Sequence, residues 1–305
     1  MGTHTKLSDG ARVAIIGADG MLGRMVAALA PSNVELILCT LPEFDIAKFD
    51  VVSAQLSLMR PDFIINCAAV TDVDGCESRP EQAYAVNADG PGHLAMVAAQ
   101  IDATLMHIST DFVFSGTRST LDLAPYDETH PPEPISIYGA SKRQGEIRVE
   151  TSPLHDYFIV RTSWLYGPWG KNFVETIIRL AHEREILSII SDQVGTPTFT
   201  GDLASVIWAL LKTDHYGLYH YSNAGQCSWY EFACEIVECL QQRDNELKVK
   251  QVKPIATEEY SLPAKRPAYS VLSKDKIVAA TGIVVPSWRW SLRKYLDERN
   301  QSADD

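Results

Sequence analysis

The sequence predicts an α/β chain: a doubly wound parallel sheet with helices on both faces, joined to a smaller C-terminal lobe. Three observations carry this. Short apolar runs of strand length alternate with segments of helical period through the first half. That alternation loosens after about Gly167. The 305 residues, 46% hydrophobic and 22% charged, suffice for one large core and a second lobe.

"MGTHTKLSDGAR" reads as a loose leader over residues 1–10. "RVAII" (12–16), "VELIL" (34–38), "DFIINC" (62–67), "TLMHI" (104–108) and "YFIV" (157–160) are the expected strands. Their continuous apolar character suits a parallel sheet covered on both faces. Between them, residues 21–29 place Leu22, Met25, Val26 and Leu29 on one side of a helix, and a second helix over 81–100 opens after Pro80. Residues 172–185 and 202–211 read as helices and "GLYHY" (217–221) as a strand. "SWYEFACEIVECL" opens on Ser228 and Glu231, a capping box, with Phe232, Ile236 and Leu240 facing inward. "ERNQSADD" reads as a frayed polar end. The division expected is a first domain over 11–166 and a smaller lobe over 167–299, with later segments returning to the first domain and residues 300–305 loose.

Bulk properties exclude several classes of partner. No apolar run approaches the roughly 20 residues of a membrane span. "MG" at the start lacks the Ser or Thr at the sixth position that myristoylation uses, because Lys6 stands there. Cys39, Cys67, Cys76, Cys227, Cys234 and Cys239 contain no Cys-x-x-Cys pair, so the expectation is reduced structural thiols in a cytoplasmic protein, without disulfide or zinc. A net charge of −12 without a basic stripe suits a small-molecule ligand rather than nucleic acid. A homodimer is the base-rate expectation.

Chemistry enters at "VAIIGADGMLGRMV", where Gly17, Gly20 and Gly23 stand between the first strand and the first helix. Such a loop makes a tight turn, lets a pyrophosphate approach backbone, and points a helix N-terminus at its charge. With the intervening Asp19, Met21 and Leu22, it predicts a Rossmann-type dinucleotide site. The second strand ends in Cys39 and Thr40 where an NAD site usually carries an acid, and Arg24 is available to a 2′-phosphate. NADP(H) is therefore favoured, with NAD(H) as the alternative.

"IYGASK" sets Tyr138 and Lys142 one helical turn apart. An ammonium near a phenol favours phenolate and makes tyrosine a better proton donor to a carbonyl becoming an alkoxide. "HISTDFVFSG" delivers Ser109, Thr110 and Asp111 to the carboxyl end of the fourth strand, where open α/β sheets bind ligands.

These motifs together, with "GADGMLGR", "RPDFIINCAAVTDVDGCE", "VNADG", "YGASKRQGE", "RTSWLYG", "DQVGTPTF" and "AKRP", make the chain resemble the extended short-chain dehydrogenase/reductases, and within them the dTDP-4-dehydrorhamnose reductase family, over nearly its whole length. The resemblance implies Thr110, Tyr138 and Lys142 as the catalytic set. It implies cofactor contacts at Asp45, Ile46, Ala68 and Ala69, and sugar-nucleotide contacts at Thr71, Val73, Asp111, Phe112 and Trp164. Trp164 is expected to stack on a sugar or base face, Arg266 to clamp the diphosphate, and Asn172 and Gln193 to line the same cleft. Phe112 stands where the family commonly has Tyr, and Met25 where some relatives carry a metal-linked Glu, so no metal is carried over. The activity implied is NADPH-dependent reduction of a 4-keto nucleotide sugar. An epimerase and a non-catalytic regulatory subunit, like the β subunit of methionine adenosyltransferase, are the alternatives. A dehydratase would need a Glu where Phe112 stands.

Overall fold

The computed structural model describes residues 7–117, 124–242 and 246–304, with backbone only over 300–304. Its centre is a six-stranded sheet in which β1 (Arg12–Ile16), β2 (Glu35–Cys39), β3 (Phe63–Asn66), β4 (Thr104–Thr110) and β5 (Tyr157–Thr162) are joined by a sixth strand, Gly217–His220. The order is Gly217–His220, β5, β4, β3, β1, β2, and all pairs are parallel. Strand order reverses between β1 and β3, and ligands bind at the carboxyl ends beside such a switch point.

Alternate residues of each strand enter two cores, as the two-residue period of a strand requires. Ala14, Ile16, Ile64, Leu105 and Ile159 face one layer with Val52, Leu56, Leu94 and Val149. Val13, Ile15, Phe63, Ile65, Met106 and Phe158 face the other, which runs on without a break into Phe199, Phe232 and Trp288 of the C-terminal half. The C-terminal half is therefore continuous with the sheet's own core.

The helix after β1 is Met21–Ala28, and Thr200–Leu210 packs beside it. The single helix expected over 81–100 is instead Pro80–Tyr84, a π turn at Ala85–Asp89, and Gly90–Ile101. Pro91 supplies the reason, since it has no N–H for the ordinary bond four residues back. Ser228 and Glu231 form the capping box ahead of Trp229–Gln241. Near the N-terminus, Leu7 N–H donates to Leu211 O at 3.2 Å and Gly10 N–H to Asn33 O at 2.7 Å, so residues 7–10 are tied to the body. Likewise the last helix, Trp288–Asp304, runs through the stretch expected to fray. Residues 1–6 and Asp305 lie outside the described residues. The paired strands Ile186–Ile190 and Gln251–Ile255, more than sixty residues apart, carried no sequence signal.

Candidate active site

The glycine loop divides its labour. Gly17 has φ +73°, and a Cβ there would stand 2.9 Å from the Ala68 backbone. A Cβ on Gly23 would fall 2.2 Å from Gly17 O, so this glycine lets the helix sit against the turn. Gly20 is different: a Cβ there would meet only Gly17 O, at 3.3 Å, and the rest of its surroundings are open. It also begins the Met21–Ala28 helix with no side chain capping it, leaving first-turn N–H groups free. The residues present therefore fit a dinucleotide pyrophosphate. Arg24 is exposed on the same helix and spends its Nε donor on Asp19 O at 2.9 Å, leaving four of a guanidinium's five donors.

The second component is the helix Ile137–Glu150, opened by Ser136, whose side chain accepts from Gly139 N–H. Its first turn lies against the Asp111–Val113 turn, and a Cβ on Gly139 would fall 2.1 Å from Phe112 O. That close approach places Tyr138 beside the end of β4. Tyr138, Lys142, Thr110 and Asp111 are all buried. The Thr110 hydroxyl donates to Asp111 Oδ1 at 3.1 Å and accepts from Phe112 N–H at 3.2 Å. Phe112 meets the Tyr138 ring edge to face, 5.4 Å between centroids.

Burial dominates the electrostatics. It raises the Tyr138 phenol above its usual value, and a hydrogen bond with Thr110 is the opposing influence. The Lys142 ammonium, to which the sequence assigned an acidifying role, donates to Ile108 O at 2.7 Å. Lys142 itself is lowered to about 8 by burial, partly offset by Glu146 and Cys67. Asp111 is raised to about 6 by burial, against hydrogen bonds from Ser270 and Thr110. Behind Lys142 on the same helix, Glu146 takes Arg161 in two bonds, at 2.8 and 2.7 Å, and Ser109 Oγ at 2.6 Å. Although desolvation opposes it, those partners and Arg143 hold this carboxyl below its ordinary value.

A cleft of about 690 Å³ gathers these groups. Of the expected residues, Gly20, Met21, Leu22, Ala69, Thr71, Val73, Thr110, Asp111, Phe112, Tyr138, Lys142, Trp164 and Arg266 line it. Gly17, Asp19, Gly23, Arg24 and Ala68 form or back the loop without lining the cleft. Asp45 and Ile46 stand behind it, Asp45 accepting from Ala47 N–H and Ile46 buried against Gly90. Asn172 caps the Phe173–Glu183 helix rather than lining the cleft, its Oδ1 accepting from Glu175 N–H. Gln193 lines an adjoining cavity of about 390 Å³ and donates to Thr257 Oγ1 at 3.0 Å. Trp164, expected to stack on a sugar or base face, lines the cleft. One face of its ring is covered by Trp229, at 3.5 Å between centroids and 9° between planes.

Comparison with known proteins decides the family. The model of the RmlD substrate binding domain matches residues 11–301. The chain belongs to the dTDP-4-dehydrorhamnose reductase family. It is 40% identical to the dTDP-4-dehydrorhamnose reductase of Aggregatibacter actinomycetemcomitans, over 93% of this chain and 97% of that one. The spore coat polysaccharide biosynthesis protein SpsK of Bacillus subtilis (strain 168) is 42% identical, over 96% of this chain and 99% of its own. The crystal structure of dTDP-4-dehydrorhamnose reductase from Bacillus anthracis str. Ames in complex with NADP is also 42% identical, covering 95% of this chain and 99% of that one with a TM-score of 0.88.

Sequence reasoning missed several cleft residues of this reductase-family chain. Trp229, Trp169, Gly170 and Lys171 all line it. Trp229 begins the capped helix and reads as an ordinary buried aromatic until its stacking on Trp164 is visible. Trp169 and Trp164 both have positive φ, +65° and +48°. "GPWGK" offered a turn signal but nothing to say which way the turn faces. Among the described residues, no helix is long and apolar enough to cross a membrane.

Proposed function

We propose that the chain reduces the 4-keto group of a nucleoside-diphosphate 4-keto-6-deoxy sugar with NADPH, the dTDP-linked sugar of rhamnose biosynthesis being the substrate the family's names support. The observation that carries it is the convergence of Thr110, Tyr138 and Lys142 with the open Gly20 turn on one cleft. NADPH, when bound, supplies the hydride. Residues 11–166 would hold it, through Gly17 to Arg24 with Asp45, Ile46, Ala68 and Ala69, and residues 167–299 would mainly hold the sugar nucleotide. The same reading carries a cytoplasmic enzyme and, on base rates, a homodimer.

Tyr138 is then the general acid at the sugar oxygen. A phenol whose pKa burial has raised stays protonated at neutral pH, so it is in the form that donates. Thr110 Oγ1 holds the carbonyl beside it, and Lys142 holds ribose hydroxyls and the local positive charge. Asp111, Thr71 and Val73 contact the sugar nucleotide, with Phe112, Trp164 and Trp229 as an apolar wall. Positioning of the carbonyl contributes beyond the proton transfer itself.

The test is incubation of the chain with NADPH and dTDP-4-keto-6-deoxy sugar, following both NADPH absorbance and the product. Stoichiometric NADPH loss with a 4-hydroxy product is expected. A new stereoisomer without net NADPH loss would favour an epimerase. Tight NADPH binding without turnover of any keto sugar would favour a regulatory subunit.

A further inference from the structure

We infer that Asp74 is a positioning residue that turns Arg266 toward the diphosphate of the sugar nucleotide; this rests on the reductase reading above and on the sequence expectation that Arg266 clamps the diphosphate. Asp74 takes Arg266 end-on, with Nη2 donating to Oδ2 at 2.7 Å and Nη1 to Oδ1 at 3.2 Å. The same carboxylate accepts from Ala264 N–H at 3.1 Å, and Arg266 Nη1 donates to Ala264 O at 3.1 Å. Asp74 thus binds both the guanidinium and the backbone that carries it, across 192 residues of sequence.

Donor arithmetic gives the consequence. A guanidinium has five N–H donors in one plane. Three are spent here, two on Asp74 and one on Ala264 O. Nε–H and the second Nη2–H remain, and they form the side-on fork that matches two oxygens of a phosphate. Arg266 borders both the main cleft and the adjoining 390 Å³ cavity, so that fork stands where a ligand spanning the two would put its diphosphate.

Asp74 is well placed for this because its helix also touches the catalytic one. Val73–Ser78 carries Asp74 near its start and Glu77 near its end. Glu77 Oε1 accepts from Ile137 N–H at 2.8 Å, at the head of the helix bearing Tyr138 and Lys142. One short helix therefore sets both the diphosphate clamp and the proton donor. Hydrogen bonding from Arg266 holds the Asp74 carboxyl below its usual range, so the pair stays ionised at neutral pH.

The test measures dTDP binding by calorimetry and keto-sugar kinetics in Asp74→Asn, Arg266→Ala and the double variant. Asp74→Asn is expected to weaken dTDP about tenfold and to raise the sugar-nucleotide KM more than it lowers kcat, while the NADPH Kd stays unchanged. In the Arg266→Ala background, Asp74→Asn should add little, because its effect passes through that arginine. Asp74→Glu should recover part of the dTDP affinity. Tighter dTDP binding in Asp74→Asn would overturn the inference, since it would make the pair a latch that the ligand must break. An undiminished effect in the Arg266→Ala background would overturn it too, as would a wild type that binds no dTDP. Failure of the reductase reading shows separately: dTDP binds and responds to Asp74, yet no keto sugar is reduced.

Discussion

The two sides of the cleft are built on different physics. On the sheet side, Thr110, Tyr138 and Lys142 are buried and backed by a closed network in which Glu146 and Arg161 are at most 1% exposed. On the C-terminal side, the corresponding ion pair, Asp74 with Arg266, has side chains 31% and 20% exposed and joins two distant segments. Burial fixes a few atoms and shifts their proton affinities. A partly exposed pair aims a charge at modest cost and can adapt to a ligand. In the proposed reading the proton chemistry belongs to the first side, and the diphosphate clamp to the second.

Removing one partner from each ion pair should expose this contrast most strongly. Arg161→Ala leaves the buried Glu146 carboxylate short of its main partner and is expected to cost about 3–5 kcal/mol of stability. Arg266→Ala should cost less than about 1 kcal/mol, because its pair is partly solvated. Denaturant unfolding of both variants measures the difference, and equal losses would break the comparison.

A smaller effect lies in pH. Asp111, raised to about 6, and Lys142, lowered to about 8, bracket a window in which one is anionic and the other cationic. The expected kcat/KM falls about tenfold per unit below pH 6 and again above pH 8. Asp111→Asn should abolish the acid limb and leave the alkaline one. Stability runs the opposite way for Asp111. Its native pKa lies above the ordinary carboxylate value, so the stability it contributes is complete below about pH 4 and is lost as pH rises through about 6.

The same contrast explains what the sequence made legible. The strands, the glycine loop and the Tyr138–Lys142 helix are local patterns, each readable within about fifteen residues. Thr110 and Asp111 follow once the strand before them is known. Asp74 was invisible because its partner lies 192 residues on, and Trp229 because its stack on Trp164 depends on how two segments meet. What Lys142 itself touches was hidden for a related reason. Spacing puts it on the Tyr138 face, but only the fold reveals that its ammonium is bound to Ile108 O. The π turn at Ala85–Asp89 had a visible cause, Pro91, though its consequence was a widened turn rather than a helix end.

In the proposed reaction, Tyr138 gives the proton that completes reduction of a sugar ketone. Comparing wild type with Tyr138→Phe, by NADPH consumption with dTDP-4-keto-6-deoxy sugar and by NADPH affinity, tests it most directly. A kcat lower by about 10² to 10⁴ with NADPH binding little changed is expected. A variant that turns over within a few-fold of wild type would contradict it.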